Sequence, residues 1–319
     1  MKTKKAKVNI LEGGIGGSPS FKEGVKAPVL IETKEPEITF RQPRSYLKTT
    51  AKLVGKDTSN EPTLFSLPTL VKEDNNSDNL RKVISKNTSI LGQVIFNLWQ
   101  LNKNEDEELE ITNLSELSSI MKQTNFEIKM YLLYLGGYTY PCVELKEKKV
   151  CLSIEQLFKV TFEYGEATRE RYISGGSQYI GNEFTSFIKD EKIDLIRIKP
   201  NIRFINEIAG GGLGNVRVTD SFIKLALGLT DIAYKLLNYT SSNVSPLKIS
   251  ESNIILWLGL EKQLKSQGRP RIRETILKGL AELQSKDHLK DFKIDSRDIF
   301  TIISSDKFTR RKENKGLIN

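Results

Sequence analysis

The sequence predicts an α+β chain in which one arrangement of elements is used twice, on three observations. A helix, strand, helix, helix, hairpin order is legible from Leu80 and begins again at Thr219. In both copies the helices carry apolar stripes at helical spacing and the strands alternate apolar with polar residues. Positive charge gathers at the two ends: residues 1–60 hold 12 Lys/Arg against 6 Asp/Glu and residues 262–319 hold 15 against 8, while residues 61–261 hold 22 against 26. That element order is a helix-turn-helix followed by a β-wing. The expected architecture is therefore two tandem winged-helix domains, with an added β-rich segment and a disordered N-terminal arm.

Residues 1–79 mix Lys, Gly, Ser and Pro without a sustained period and read as a disordered basic arm and linker. The run GGIGGSPS lacks the Gly-Lys-Ser/Thr of a phosphate loop. A small apolar cluster, Leu64–Leu70, suits docking on the protein's own core or on a partner such as a sliding clamp or helicase. The first domain, residues 80–209, opens with a helix placing Val83, Ile90, Val94, Leu98 and Leu101 on one stripe. After a short strand at Leu109–Ile111, Asn113 with Glu116 and Thr124 with Glu127 have the capping-box spacing that starts two more helices. The second of these turns Phe126, Met130 and Leu133 inward and stops at Gly136 and Gly137.

CVEL (142–145) and VCLS (150–153) then bracket a charged turn as a hairpin, with Cys142 and Cys151 placed to face each other across it. Two cysteines make neither a disulfide framework nor a Cys-rich zinc site, so free thiols are expected. Residues 158–164, 192–199 and 202–208 alternate as strands, with loop and a short helix between the first two. In the glycine run at 210–214 the dinucleotide spacing fails, because Asn215 stands where GxGxxG needs its last glycine; residues 210–218 read as a hinge.

The second domain, residues 219–305, starts with a helix capped by Thr219 or Asp220 and lined by Phe222, Ala226, Leu229, Ala233 and Leu236. PLKI (246–249) is its strand, Ser250 caps the next helix, and GRPRIRETILKGLAELQ (268–284) is the one after. FKID (292–295) and DIFTI (298–302) form the wing, and residues 306–319 are a basic tail.

On the helix within 268–284, Pro270 suits the first turn, and Ile272, Ile276, Leu280 and Leu283 fall on one side. With Ile272 at zero, the helical repeat puts Arg271 near about 260°, Lys278 near about 240° and Glu274 near about 200°, all outward. Gly279 falls at about 340°, where a small residue lets a neighbouring helix come close. Arg269 and Arg273 flank the entry. Arginine donates in pairs to guanine and a helix N-terminus favours phosphate, so Arg269, Arg271, Arg273 and Lys278 are the expected major-groove readers. Lys290, Lys293 and Arg297 in the hairpin, and Lys307, Arg310 and Arg311 beyond it, are expected on phosphates. Lys122, Gln123, Asn125 and Lys129 occupy the equivalent turn and helix start of the first domain with less charge, suited to secondary DNA contact or a dimer role.

Catalysis finds no support in the sequence. The one histidine, His288, falls in a polar loop, and there is no Walker lysine, GxSxG elbow or His/Cys metal spacing. No cofactor, metal or enzymatic activity is expected. No apolar run reaches membrane-spanning length and the N-terminus lacks the apolar core of a signal peptide, so a cytoplasmic address is expected.

Over about residues 80–305 the chain resembles the iteron-binding Rep class of plasmid replication initiators. The resemblance is carried by the repeated architecture, the first helix ILGQVIFNLWQL (90–101), and the closing segments LKISESNIILWLGL (247–260), GRPRIRETILKGLAELQ and FKID. It implies that the C-terminal domain reads tandem origin repeats in double-stranded DNA. It also implies that the N-terminal domain adds DNA contact in the monomer and supplies the interface of a homodimer in equilibrium with it. Implied partners are the host's chromosomal initiator and replicative helicase, with the dimer repressing its own gene. The basic arm and the glycine run have no counterpart in that pattern. A winged-helix transcriptional regulator or partition protein would share the same features, and a tyrosine recombinase or topoisomerase would differ by forming a covalent tyrosine adduct.

Overall fold

The first elements lie inside the segment read as an arm. β1 (Thr39–Pro43) and α1 (Arg44–Leu53) are followed by Val54, and Phe40, Tyr46, Leu47 and Val54 are all buried. The Tyr46 ring meets Phe96, Phe158 and Phe204 edge-on at 5.0–5.9 Å. The expectation of a disordered arm is thus corrected for residues 38–54. The structure, a computed structural model, describes residues 38–54, 85–137, 139–146, 149–175, 192–210, 214–305, 307 and 309–310, all within one unit that starts at residue 37. GGIGGSPS, Leu64–Leu70 and Val83 lie outside the described residues.

α2 (Lys86–Asn102) starts at Ser85, whose hydroxyl accepts from the Thr88 amide at 3.0 Å. It is buried continuously from Thr88 to Asn97 rather than along a stripe, and Leu101 is 60% exposed. β2 (Leu109–Ile111) and α3 (Leu114–Met121) follow, with Asn113 capping the helix by accepting from the Ser115 amide. α4 (Asn125–Gly137) opens with a complete capping box: the Glu127 carboxylate accepts from the Thr124 amide at 2.8 Å while the Thr124 hydroxyl accepts from the Glu127 amide at 3.2 Å. α4 buries Ile128, Leu132 and Leu135, so the expected inward face of Phe126, Met130 and Leu133 is corrected. FEIKMYLLYL is apolar nearly all round, and its pattern alone selects no face.

β3 (Thr139–Lys146) and β4 (Lys149–Gln156) form the expected hairpin, but its register sets Cys142 against Ser153 and Cys151 against Glu144, not against each other. Nor does this hairpin join β2. β2 pairs instead with β6 (Ile193–Pro200), which also pairs with β5 (Phe158–Tyr164); α5 (Glu166–Gly175) follows β5. Residues 202–208, read as a strand, are helix α6 (Ile202–Ala209). Asn201 caps it by accepting from the Arg203 amide, and the buried Phe204, Ile205 and Ile208 follow helical rather than alternating spacing.

β7 (Asn215–Thr219) takes up the last four residues of the expected hinge, of which 211–213 lie outside the described residues, and pairs antiparallel with β1. The single helix expected after Thr219 is two, α7 (Ser221–Leu227) and α8 (Asp231–Ser241), because Thr230 starts a new helix by accepting from the Ala233 amide. β8 (Leu247–Ser250) leads to α9 (Glu251–Leu258), capped by Ser250 as expected. Gly259 at φ 71° ends α9, and α10 (Glu261–Gln267) precedes α11 (Arg269–Ser285). β9 (Leu289–Ile294) and β10 (Ile299–Ser304) form a hairpin, and β11 (Thr309–Arg310) joins β7.

Two sheets therefore share one topology. In β2–β6–β5 and in β8–β10–β9 the first strand pairs with the third and the third with the second, all antiparallel. The chain is α+β, and one continuous core runs through both copies of the order. Their first helices, α2 and α8, meet across buried hydrogen bonds: the Ser89 hydroxyl lies 2.6 Å from the Tyr234 hydroxyl, and Gln93 Nε2 donates to Tyr234 and to Asn238 Oδ1. Gln42 of β1 extends the network by donating to Asn97 Oδ1 and to the Gln93 carbonyl.

Candidate nucleic-acid interface

α11 is positioned by what it buries. Ile272, Ile276, Leu280 and Leu283 are fully buried, as their spacing predicts, and Gly279 faces α8 so closely that an added Cβ would meet Ile232 and Leu236 at 2.9 Å. Arg271, Glu274 and Lys278 consequently face solvent. Arg271 makes no ion pair with the described residues. The Lys278 ammonium contacts Glu274 at 2.8 Å, which lowers the Glu274 carboxyl below its ordinary value.

Arg269 and Arg273 behave differently, correcting the expectation that they reach outward with Arg271. The Arg273 guanidinium donates from Nε and one terminal nitrogen to the two oxygens of Glu251, at 2.8 and 2.6 Å, and from the same terminal nitrogen to Asp298 at 2.6 Å. Arg269 donates to Glu251 at 2.7 Å and to Asp298 at 2.8 Å. The Glu251 side chain is 0% exposed, against 33% for Arg273 and 51% for Arg269. The Arg273 guanidinium, then that of Arg269, holds the Glu251 carboxyl below its usual range against the opposing cost of burial, and Arg273 is raised in return. The four side chains join the start of α9, the first turns of α11 and the turn between β9 and β10. A further bond, from the Glu251 amide to the Asp298 carbonyl at 2.9 Å, ties the same points.

Around this clasp the surface is basic. Lys290, Lys293 and Arg297 are exposed on β9 and its turn, Arg297 only 3.9 Å from Asp295, and Lys262 and Lys265 are exposed on α10. Lys307 is paired with Asp287 at 2.7 Å. Arg310 lies in β11 opposite Arg217, and Arg311 falls outside the described residues. His288, expected in a polar loop, is fully buried with Nε2 3.0 Å from the Thr240 hydroxyl.

In the first copy the equivalent turn is polar rather than cationic. Lys122 sits at φ 54° where α3 ends, with an exposed side chain. Gln123 Oε1 accepts from the Tyr131 hydroxyl and Asn125 accepts from Ser118. Lys129 is only 9% exposed, which corrects its placement on an outer face. Lys122, Gln123 and Asn125 border an open polar depression with Ser115 and Ser119.

Glu251 and Asp298, central to the clasp, are not singled out by the sequence, because an acid after a Ser cap reads as an ordinary first-turn residue and an aspartate between two strands as an ordinary turn residue. Among the described residues no group of three or more His, Cys, Asp or Glu is placed to hold a metal, and no helix is long and apolar enough to cross a membrane. The chain matches no protein-family model, and no curated protein matches it in sequence.

Proposed function

We propose that the chain is a sequence-specific double-stranded DNA-binding protein built from tandem winged helices, with α11 as the recognition helix. The observation that carries this reading is the twice-used topology, in which an outward Arg271 on α11 stands beside a basic hairpin in the second copy. Arg271 would read guanine edges, while Lys290, Lys293 and Arg297 would set the hairpin on phosphates. Together with the resemblance to iteron-binding initiators, this makes directly repeated sites at a plasmid origin the proposed target, and origin opening and self-repression the proposed roles.

Footprinting on the DNA flanking the gene tests the target: protection of direct repeats about two helical turns apart is expected. A single protected inverted repeat would favour a transcriptional regulator. Arg271→Ala should cost about 1–3 kcal/mol on the selected site and little on random duplex, whereas Arg310→Ala should weaken both and lower the salt slope by about 1. Equal losses of Arg271→Ala on both duplexes would remove it from base reading.

A further inference from the structure

We infer that Arg273 and Glu251 are positioning residues for DNA reading: they lock the β9–β10 turn to the first turns of α11, so that helix and wing meet the duplex as one rigid surface. The inference rests on the DNA-binding reading and reverses the role that sequence gives Arg273.

The geometry separates a clasp from a contact. A phosphate-binding arginine needs its guanidinium open, yet three of the hydrogen bonds from Arg273 end on Glu251 and Asp298. Glu251 is fully buried, and so is a carboxylate whose charge is satisfied only by these two arginines and by hydrogen bonds. Two arginines and two carboxylates also sum to no net charge, so the cluster adds nothing to attraction for a polyanion. Its effect is mechanical. The residues it joins belong to three separate elements, and Arg271 lies between the two clasp arginines on the same helical turn. If the clasp opens, the turn carrying Arg297 loses its tie to the helix carrying Arg271, while the strands below it stay held by the buried Leu289, Phe300 and Ile302. Non-specific attraction, which depends on charge alone, then survives, while the register that makes base reading selective is lost.

The planar fork matters here as well as the charge. Lysine keeps the positive charge but not the two-pronged fit to a carboxylate. Arg273→Lys is therefore the decisive variant, with Glu251→Gln as its partner on the other side of the bond.

The full-length chain is used to enrich a duplex from a randomised pool, and wild type and both variants are then titrated on the enriched duplex and on the unselected pool. Amide hydrogen exchange of residues 293–299 is followed without DNA. Both variants are expected to lose tenfold or more in the ratio of selected to pool affinity. Pool affinity should stay within about twofold with an unchanged salt slope, and exchange in the turn should rise. Global destabilisation would lower both affinities together and leave the ratio intact, which would overturn the inference. So would retention of the ratio in Arg273→Lys, the behaviour of a phosphate contact, or a gain on both duplexes in Glu251→Gln, the behaviour of arginines released to grip DNA. Unchanged exchange in the turn would overturn the clasp itself. Enrichment of no sequence by the wild type would instead overturn the DNA reading, a failure visible before any variant is made.

Discussion

In the first copy of the repeated order the charged side chains that bridge elements lie on the sheet; in the second they join a helix to a hairpin turn. Arg197 of β6 reaches Glu110 on β2 at 3.3 Å and Glu163 on β5, spanning three strands with a side chain that is 39% exposed. Arg273 and Arg269 converge instead on a carboxylate that water does not reach. Exposed pairs are worth about 0–1 kcal/mol, whereas breaking a buried pair by removing one partner costs about 3–5 kcal/mol. The same strand order is thus reinforced along its surface in one copy and at its helix–hairpin junction in the other. Only the second arrangement ties a helix start to a hairpin turn. The first copy's helix pair has local contacts instead, the Thr124–Glu127 box and the Gln123–Tyr131 bond.

The sharpest way to break this contrast is Glu251→Ala. It leaves two arginines facing Asp298 alone and should cost about 3 kcal/mol, the lower end for a buried pair because both guanidiniums stay partly solvated. Denaturant unfolding at neutral pH measures it, and a loss under 1 kcal/mol would place Glu251 on a par with the surface pairs. Acid should act on the same bond. The Glu251 carboxyl is held below its ordinary value of 4.5, so its pairing is fully stabilising above that pH and is lost as pH falls through the lowered value. Stability should therefore fall more gently below about pH 4.5 in Glu251→Gln than in the wild type. On the first copy, Thr124→Ala removes the hydroxyl half of an exposed capping box, leaving the backbone amide to donate to Glu127, and should cost about 1 kcal/mol. On the proposed DNA-binding reading it should leave the ratio of selected to pool affinity unchanged, and a changed ratio would place the proposed base contacts on α4.

Much of this was readable where the signal is local. Ile272, Ile276, Leu280 and Leu283 reveal the buried face of α11 because most other positions on the helix are polar, and Gly279 is legible because the close approach needs an atom to be missing. Ser250, Asn113 and the Thr124–Glu127 pair announce helix starts through short-range capping chemistry. What escaped depends on distant partners. β1 looks like linker until β7 is placed beside it, and β2 looks destined for the nearest hairpin, though the strand it joins is β6, more than 80 residues away. The arginines divide in the same way. Angle around the helix sends Arg271 outward, but nothing nearby in sequence announces that Glu251 and Asp298 await Arg269 and Arg273.

The sheet β1–β7–β11 draws strands from the start, middle and end of the described fold, with Thr39 opposite Thr219 and Thr309 opposite Val218. On a ribosome this imposes an order of events. β1 is made long before its partner, and at about 5–20 residues per second it waits roughly 10–35 s for β7 to be synthesised. The aromatic cluster around Tyr46 draws on residues made earlier, among them Phe96, Phe158 and Phe204, so collapse there can hold the early segment near its future partner. Strand closure then comes late, and β11 completes the sheet only when the last part of the chain is available.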